Sequence, residues 1–545
     1  MTSFIESVKF FVDDKHRGEA LQNAARRNPN KKDENAISTS LIIDDKNDIF
    51  AEQIYDKGLN KSAYAVYHPR KDKIEYASTV DIGGIQYVPI TDEEVNKCAI
   101  LLPSNVLEYE TEEALDQDIL SFIKRWLDIP DDHRLFALWN IKRSWVYERF
   151  HTLNYLRALG DTGLGKTRYL DTLGSIHYKP ILTSGATTAA PVFRVIDKWR
   201  GTMIFDEADI KITEETEVII KIINQGYERG KHIMRCEQND ASKINFFDPY
   251  CPKVLATRRP FADKAVESRC ITQFMTGTAR RDIPRNLDDR FFAEAERLRN
   301  KLLMWRFKNY HRINPNPDVR FNSENLEPRV EQISTTFLSL FANQPDQLKT
   351  FENFLRNYQE TLIQERQDTP EGEIVSAIHD LLEEGMTDIT SKDIMLKGEP
   401  TDNNGKPLTP KGISNRLKSL GFGRSQLVRN GSQVKRCILL ENAHLANLFN
   451  RYGVTVVTVL RGTGDPQKKL ENEPIPPPLI ERYNRYNVTG DVEPSDDDVV
   501  GFVYEKNPIG YLVSEFVEKY GQATLDRLLA SGRVIELPRG WLRCV

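Results

Sequence analysis

The chain has 545 residues, 75 Lys and Arg against 80 Asp and Glu, a formal net charge of −5 and 39% hydrophobic residues. That length accommodates roughly three to five domains with real cores; no run approaches the roughly 18 apolar residues of a membrane span; and the negative balance confines any nucleic-acid contact to local basic patches. Six scattered cysteines (Cys98, Cys236, Cys251, Cys270, Cys437, Cys544) form no C-x-x-C pair, and Met1–Asp14 lacks a basic-then-apolar leader, so a cytoplasmic protein without a zinc or disulfide framework is expected.

The first 40 residues read as helix followed by a polar stretch, Asn28–Glu34. Short strand-like runs then alternate with turns: Ile49–Tyr55, Ala63–Tyr67, Ile74–Val80, Ile85–Ile90 and Ala99–Leu102. Residues 1–110 thus form a small α+β, β-rich domain without an evident role. Glu110–Leu127 and Asp131–Phe150 show amphipathic helical patterns. Strand candidates Tyr155–Leu159, Pro180–Thr183, Thr202–Phe205, Lys253–Ala256 and Cys270–Phe274 follow, alternating with helices, the pattern of a parallel α/β/α sheet.

Gly160-Asp161-Thr162-Gly163-Leu164-Gly165-Lys166-Thr167 is a complete G-x-x-x-x-G-K-T phosphate loop between an apolar run and a helical one. At such a turn backbone N–H groups and the helix N-terminus face phosphates. Lys166 suits the β- and γ-phosphates, and Thr167 suits Mg²⁺. The strand Thr202–Phe205 ends in Asp206 and Glu207. Asp206 is expected to hold Mg²⁺, and Glu207 to polarise the attacking water. Thr257, at the end of the next strand, is placed to sense the γ-phosphate. Glu267-Ser268-Arg269 follows a short helical stretch, and Arg269 suits an arginine finger presented to a neighbouring copy. Arg297, Arg299 or Arg306, alternatives on the long helical pattern Leu287–Tyr310, is a further candidate for a nucleotide contact.

Between the Asp-Glu strand and the Thr257 strand, residues 232–247 read as a β-hairpin with a polar turn. Lys243 falls near its tip and Lys231 and Arg235 on its first arm, cations suited to a DNA backbone. Helical sequence at 316–368 connects to a unit at 369–453: helices Glu371–Glu384, Ser391–Leu396 and Pro410–Leu420, then two strands around Asn430-Gly431. Three helices and a hairpin are the winged-helix plan. Leu408–Cys437 holds seven cations and no Asp or Glu. Its third helix offers Lys411, Ser414, Asn415 and Lys418 to a groove, and its wing offers Arg429 and Lys435 to the backbone. Residues 454–500 are a Pro- and charge-rich linker, and 501–545 a small unit with helical runs Leu512–Tyr520 and Ala523–Ala530 and strand-like runs Arg533–Glu536 and Trp541–Arg543, a second, minimal winged helix in outline.

Gly160–Thr167, Thr202–Asp209, Pro252–Arg259 and Glu267–Cys270 together resemble the AAA+ ATPases, and more narrowly the MCM-like and superfamily III-like helicases of phages, plasmids and mobile elements. Gly185–Thr188 and Asn224–Tyr227 also look like ATPases of this type; Cys270 departs from the Ser-Arg-Phe finger motif of MCM proteins. The resemblance covers residues 110–315. It implies a P-loop AAA+ ATPase domain at 111–315 with a helical lid, ATP and Mg²⁺ as cofactors, and a homo-oligomeric, hexameric ring. It implies single-stranded or forked DNA as partner, a pore-facing hairpin and a role in DNA replication. The alternatives are an ATP-switched DNA-binding regulator without unwinding activity and an AAA+ protein remodeller.

Overall fold

The computed structural model describes residues 16–24, 36–454 apart from 92, 98, 184–188, 207–213, 238–239, 319, 322–325, 342–343, 403–404, 424 and 431–432, and, in the last segment, 511–512, 529, 534–537 and 541–544. The chain divides into two compact units, Met1–Leu460 and Arg461–Val545.

The first unit begins with helical residues 16–24, whose Ala20 and Leu21 join the core, followed by β1 (Ala36–Ser38) through β7 (Ile85–Val88). β2 (Leu41–Asp44), β3 (Ile49–Asp56), β4 (Lys61–His68) and β5 (Lys73–Ala77) form an antiparallel meander; β1, β7 and β6 (Val80–Ile82) form a smaller sheet. The expected run Ile74–Val80 is therefore two strands, and around Ala99–Leu102 only a bridge from Ile100 to Ile181 forms. One face of the meander (Phe50, Ile54, Ala63, Ala65) joins the same apolar core as the segment that follows. Glu52 on β3 is buried with Lys179 and Arg306, at 2.8 and 2.7 Å. Two unlike charges balance this carboxylate, and they hold it below the usual carboxylate range against the opposing effect of burial.

Helices α1 (Glu112–Trp126) and α2 (Asp131–Ser144) pack against each other and share one apolar core with the central sheet. Thr111 caps α1 by accepting from Ala114 N, and acids fill its first turn. The central sheet contains β8 (Tyr155–Leu159), β9 (Ile181–Thr183), β10 (Met203–Phe205), β13 (Lys253–Thr257) and β14 (Cys270–Phe274). All five strands are parallel, in the order β14-β8-β13-β10-β9. β8 and β13 are buried along their whole length, which explains their near-continuous apolar sequence. Helices α3 (Lys166–Gly174), α4 (Ala189–Trp199), α5 (Glu214–Gln225) and the one-turn α6 (Lys264–Glu267) connect the strands. The hairpin β11 (Ile233–Glu237) and β12 (Asp240–Phe247) stands between α5 and β13.

A long helix, α7 (Asp289–Asn309), then α8 (Pro328–Ser334), a one-turn helix Leu338–Phe341 and α9 (Pro345–Gln367) complete this core. The segment from residue 370 onward has a separate apolar cluster (Ile374, Ile378, Ile394, Ile413, Leu417, Leu445). It comprises α10 (Pro370–Glu383), α11 (Ser391–Gly398), α12 (Pro410–Ser419), the hairpin β15 (Ser425–Asn430) and β16 (Gln433–Ile438), and α13 (Asn442–Arg451), a helix not foreseen from the sequence. Thr369, Thr390 and Thr409 cap its three first helices, the second with a full capping box to Asp393. The second unit contributes a three-stranded antiparallel sheet from β17 (Tyr511–Leu512), β18 (Val534–Leu537) and β19 (Trp541–Cys544). Tyr511 and Leu512 are strand; the helical runs expected at Leu512–Tyr520 and Ala523–Ala530 fall almost entirely outside the described residues.

Candidate nucleotide site and its neighbours

Strand order builds the site. β8, β13 and β10 are adjacent and parallel, so the ends of all three open on one edge of the sheet. That edge, beyond the carboxyl ends of parallel strands, is where open α/β sheets bind ligands. β8 delivers the loop Gly160–Thr167, β13 delivers Thr257 and β10 delivers Asp206.

Gly163 and Gly165 adopt φ values of +83° and +91°, a region that only glycine enters without strain. They turn the chain into α3, whose N-terminal N–H groups lack intrahelical partners. Gly160 is tight for another reason: a Cβ there would sit 3.0 Å from the Met275 carbonyl oxygen. Lys166 Nζ donates to the Asp161 carbonyl at 2.8 Å, which keeps the ammonium at the mouth of the loop. Thr162 N donates to Asp161 Oδ1 at 2.7 Å. Thr167 Oγ1 donates to Asp206 Oδ2 at 3.0 Å, so the hydroxyl and carboxylate expected to share Mg²⁺ are already in contact. Asp171, one helical turn beyond Thr167, has its carboxyl raised by burial and by the Asp206 charge. Thr257 is 1% exposed, and its Oγ1 has no partner among the described residues. A buried hydroxyl without a partner is costly, and this one ends a strand whose Thr257 carbonyl accepts from Gly160 N at 3.2 Å. Glu207 lies outside the described residues, as do Gly185–Thr188.

Arg269 begins where α6 ends and precedes β14. Its Nη1 donates to the Asn224 carbonyl at 2.8 Å and also to Asn224 Oδ1. Its guanidinium carbon lies 4.8 Å from the centre of the Tyr227 ring. The strand beneath is anchored by Arg157 on β8, whose guanidinium is paired bidentately with Glu267. Arg157 also donates to Thr272 Oγ1. Sequence reading missed Arg157 as a site-building residue; a lone arginine inside the apolar run Tyr155–Leu159 is the available signal. It also missed Arg168, which donates to the Pro284 and Arg285 carbonyls and draws the Arg-rich stretch Arg280–Arg285 beside the first turn of α3. Arg299 and Arg306 do not approach the loop. Arg299 is buried against the Ser175 carbonyl, and Arg306 is fully buried between Glu52 and Glu148. Arg297 is exposed on α7.

The hairpin β11–β12 differs in chemistry from its expected cationic form. Lys231 is paired with Glu228 at 2.8 Å. Arg235 packs over the Phe193 ring at 5.5 Å, on the face that turns Phe247 toward α4. The opposite face, where Met234 pairs with Phe246 and Cys236 with Ile244, is exposed; Met234 is 64% and Phe246 60% accessible. Lys243 is exposed toward the tip. On α12, Lys411, Asn415 and Lys418 recur at helical spacing on the exposed face, opposite buried Ile413 and Leu417. Arg416, between them, is turned to Glu371 at 3.6 Å. Among the described residues no ion pair engages Lys411, Lys418, Arg429 or Lys435, and Arg429 and Lys435 are exposed on the wing-like hairpin.

No family model and no curated protein matches the chain. Among the solved structures similar to it are the following three. The apo form of the NrS-1 C-terminal region is 13% identical, covers 72% of this chain and 96% of its own, with a TM-score of 0.29. A full-length MCM homologue from Methanopyrus kandleri is 11% identical over 58% and 74%, with a TM-score of 0.31. SCCmec type IV Cch, titled an active helicase, is 10% identical over 75% and 80%, with a TM-score of 0.34. No helix of the described residues is long and apolar enough to cross a membrane.

Proposed function

We propose that this chain is an ATP-driven DNA helicase or translocase that hydrolyses ATP at the junctions of a ring of identical subunits, in the replication of a phage or mobile element. The observation that carries this reading is the convergence of three adjacent strand ends: the phosphate loop, the unpartnered hydroxyl of Thr257, and Asp206 within 3.0 Å of Thr167. The residues fit Mg²⁺–ATP: two positive-φ glycines leave the backbone bare toward phosphates, Lys166 supplies the cation, and Thr167 and Asp206 supply oxygen ligands. Bound there, Mg²⁺–ATP supplies the phosphoryl group whose transfer to water drives the motor. Thr257 reads the terminal phosphate, Glu207 orients the water, and Arg269 of the adjacent copy stabilises charge on the transferring group.

The DNA contacts divide between two hairpins and a helix. Phe246 and Met234 offer a surface for base stacking and Lys243 a phosphate contact, the combination that single-strand binding uses. Lys411, Asn415 and Lys418 on α12, with Arg429 and Lys435 on β15–β16, form a winged-helix face for duplex backbone. The test is ATP hydrolysis with and without forked DNA, coupled to strand displacement. Stimulated hydrolysis with unwinding supports a motor. Tight duplex binding with slow, unstimulated hydrolysis indicates an ATP-switched regulator, and hydrolysis indifferent to DNA indicates a protein remodeller.

A further inference from the structure

The stretch Asn224-Gln225-Gly226-Tyr227 ends α5 and lies six residues before the hairpin. It is in contact with the finger on one side and with the hairpin's root on the other. On the finger side, both the carbonyl and the side-chain oxygen of Asn224 accept from Arg269 Nη1. Asn224 Nδ2 donates to Asp263 Oδ2 at 2.6 Å, which ties the same residue to the cap of α6. Tyr227 lies between two cations, Arg269 at 4.8 Å and Arg329 at 5.4 Å from the ring centre. Arg329 in turn donates to the Ser268 carbonyl at 3.2 Å. On the hairpin side, the buried ammonium of Lys253 donates to the Gly226 carbonyl at 3.3 Å, to Pro249 at 3.1 Å and to Cys251 at 3.0 Å. Pro249 follows the end of β12 by two residues. Gly226 has no room for a side chain: a Cβ would lie 2.3 Å from the Pro249 carbonyl oxygen.

We propose that Asn224 and Tyr227 are positioning residues that hold Arg269 withdrawn on its own subunit, so that the finger reaches the neighbour's γ-phosphate only when the α5–hairpin junction shifts. This rests on the reading of Arg269 as a finger acting in trans. In the withdrawn position Arg269 donates to Asn224 through Nη1, and its Nε is buried without a partner among the described residues. With Nη1 held by Asn224 and Nε buried, the guanidinium does not present its bidentate Nε–Nη2 edge to a phosphate on another subunit. Release of Arg269 removes a ligand from Asn224 and a cation from Tyr227, and the Lys253 contacts transmit that loss to the hairpin's root. The same path runs backwards: DNA pulling on the hairpin loosens the hold on the finger. Hydrolysis in one subunit is thereby made to depend on DNA held by the next.

The experiment compares ATPase rates of Asn224→Ala and Tyr227→Leu in the full chain, with and without forked DNA, against Tyr227→Phe, which keeps the ring and loses only a hydroxyl that has no partner among the described residues. The expected result is a several-fold rise in the DNA-free kcat of both variants, with KM for ATP unchanged and the DNA stimulation ratio falling toward one. Tyr227→Phe should behave as the parent. Adding Arg269→Ala to Asn224→Ala should abolish the rise. A DNA-free rate at or below the parent's, with the stimulation ratio kept in Asn224→Ala, overturns the proposal; because this side chain is only half-buried, that variant decides even where Tyr227→Leu loses stability. Arg269→Ala alone leaving hydrolysis intact would instead remove the finger itself, a distinct failure.

Discussion

The two sides of the nucleotide site are built in contrasting ways. The loop side is open: Lys166 and Thr167 lie near solvent, each with a single short contact inside the site, ready to exchange it for a ligand. The finger side is enclosed: Arg269 is gripped by Asn224 and Tyr227, and the strand beneath it is locked by the Arg157–Glu267 pair. On the proposal that Arg269 acts on another subunit, the difference teaches that binding needs only a preformed cradle, whereas such a residue has to be stored when it is not in use.

The sharpest way to break this contrast is to remove one side at a time. Arg269→Ala should lower kcat by about 10³-fold while ATP binding persists, since an arginine finger acts on the transition state. Lys166→Ala should lower hydrolysis by at least about 10²-fold and weaken ATP binding as well. A fluorescent ATP analogue and a steady-state assay separate the two. If both variants lose binding and turnover alike, the sides are not functionally distinct.

Acid should undo the enclosed regions first. His133 and His177 are buried, and burial pushes their imidazoles down to about 3 and about 4 from 6.5. A depressed histidine stabilises the fold above pH 6.5, and that contribution is lost as pH falls below 6.5 toward the folded value. Each histidine should then cost about 2 kcal/mol by pH 5. Urea denaturation between pH 7 and 5 should show the loss, and the pair His133→Gln and His177→Gln should flatten it.

Smaller effects sharpen the comparison at the DNA and sensor positions. Replacing Lys411, Lys418 and Lys435 by Ala should weaken duplex binding evenly across sequences and reduce the salt slope by roughly 0.9 per lost phosphate contact. Thr257→Val should slow turnover but change stability by no more than about 1 kcal/mol, because the hydroxyl it removes has no partner among the described residues. A melting curve and a kcat measurement on one sample check both halves.

What could be read from the sequence follows the range of the interactions. Gly160–Thr167 and the strand ending at Asp206 are local patterns, and so are the helical runs Glu371–Glu384 and Pro410–Leu420. The parallel sheet followed from alternating apolar runs, although its strand order did not. The pairing of Arg157 with Glu267 spans 110 positions, and that of Arg306 with Glu52 spans 254; no periodicity signals either. The hairpin at 232–247 was legible as two strands around a polar turn. Which of its faces packs was not, because Phe193 on α4, forty-two positions before Arg235, decides it. Arg306 was misjudged for the same reason: its position on a helix near the loop suggested a nucleotide contact, but Glu52, far away in the chain, claims it.

The central claim, that each site is shared between two copies, is tested most directly by mixing Lys166→Ala subunits with Arg269→Ala subunits and measuring DNA-stimulated ATP hydrolysis. Each variant alone should be nearly inactive. In a mixed assembly an Arg269→Ala subunit keeps an intact loop and a Lys166→Ala neighbour keeps an intact finger, so activity should reappear in proportion to such junctions. Mixtures as inactive as their parts, under conditions where the two variants co-assemble, would contradict a shared site.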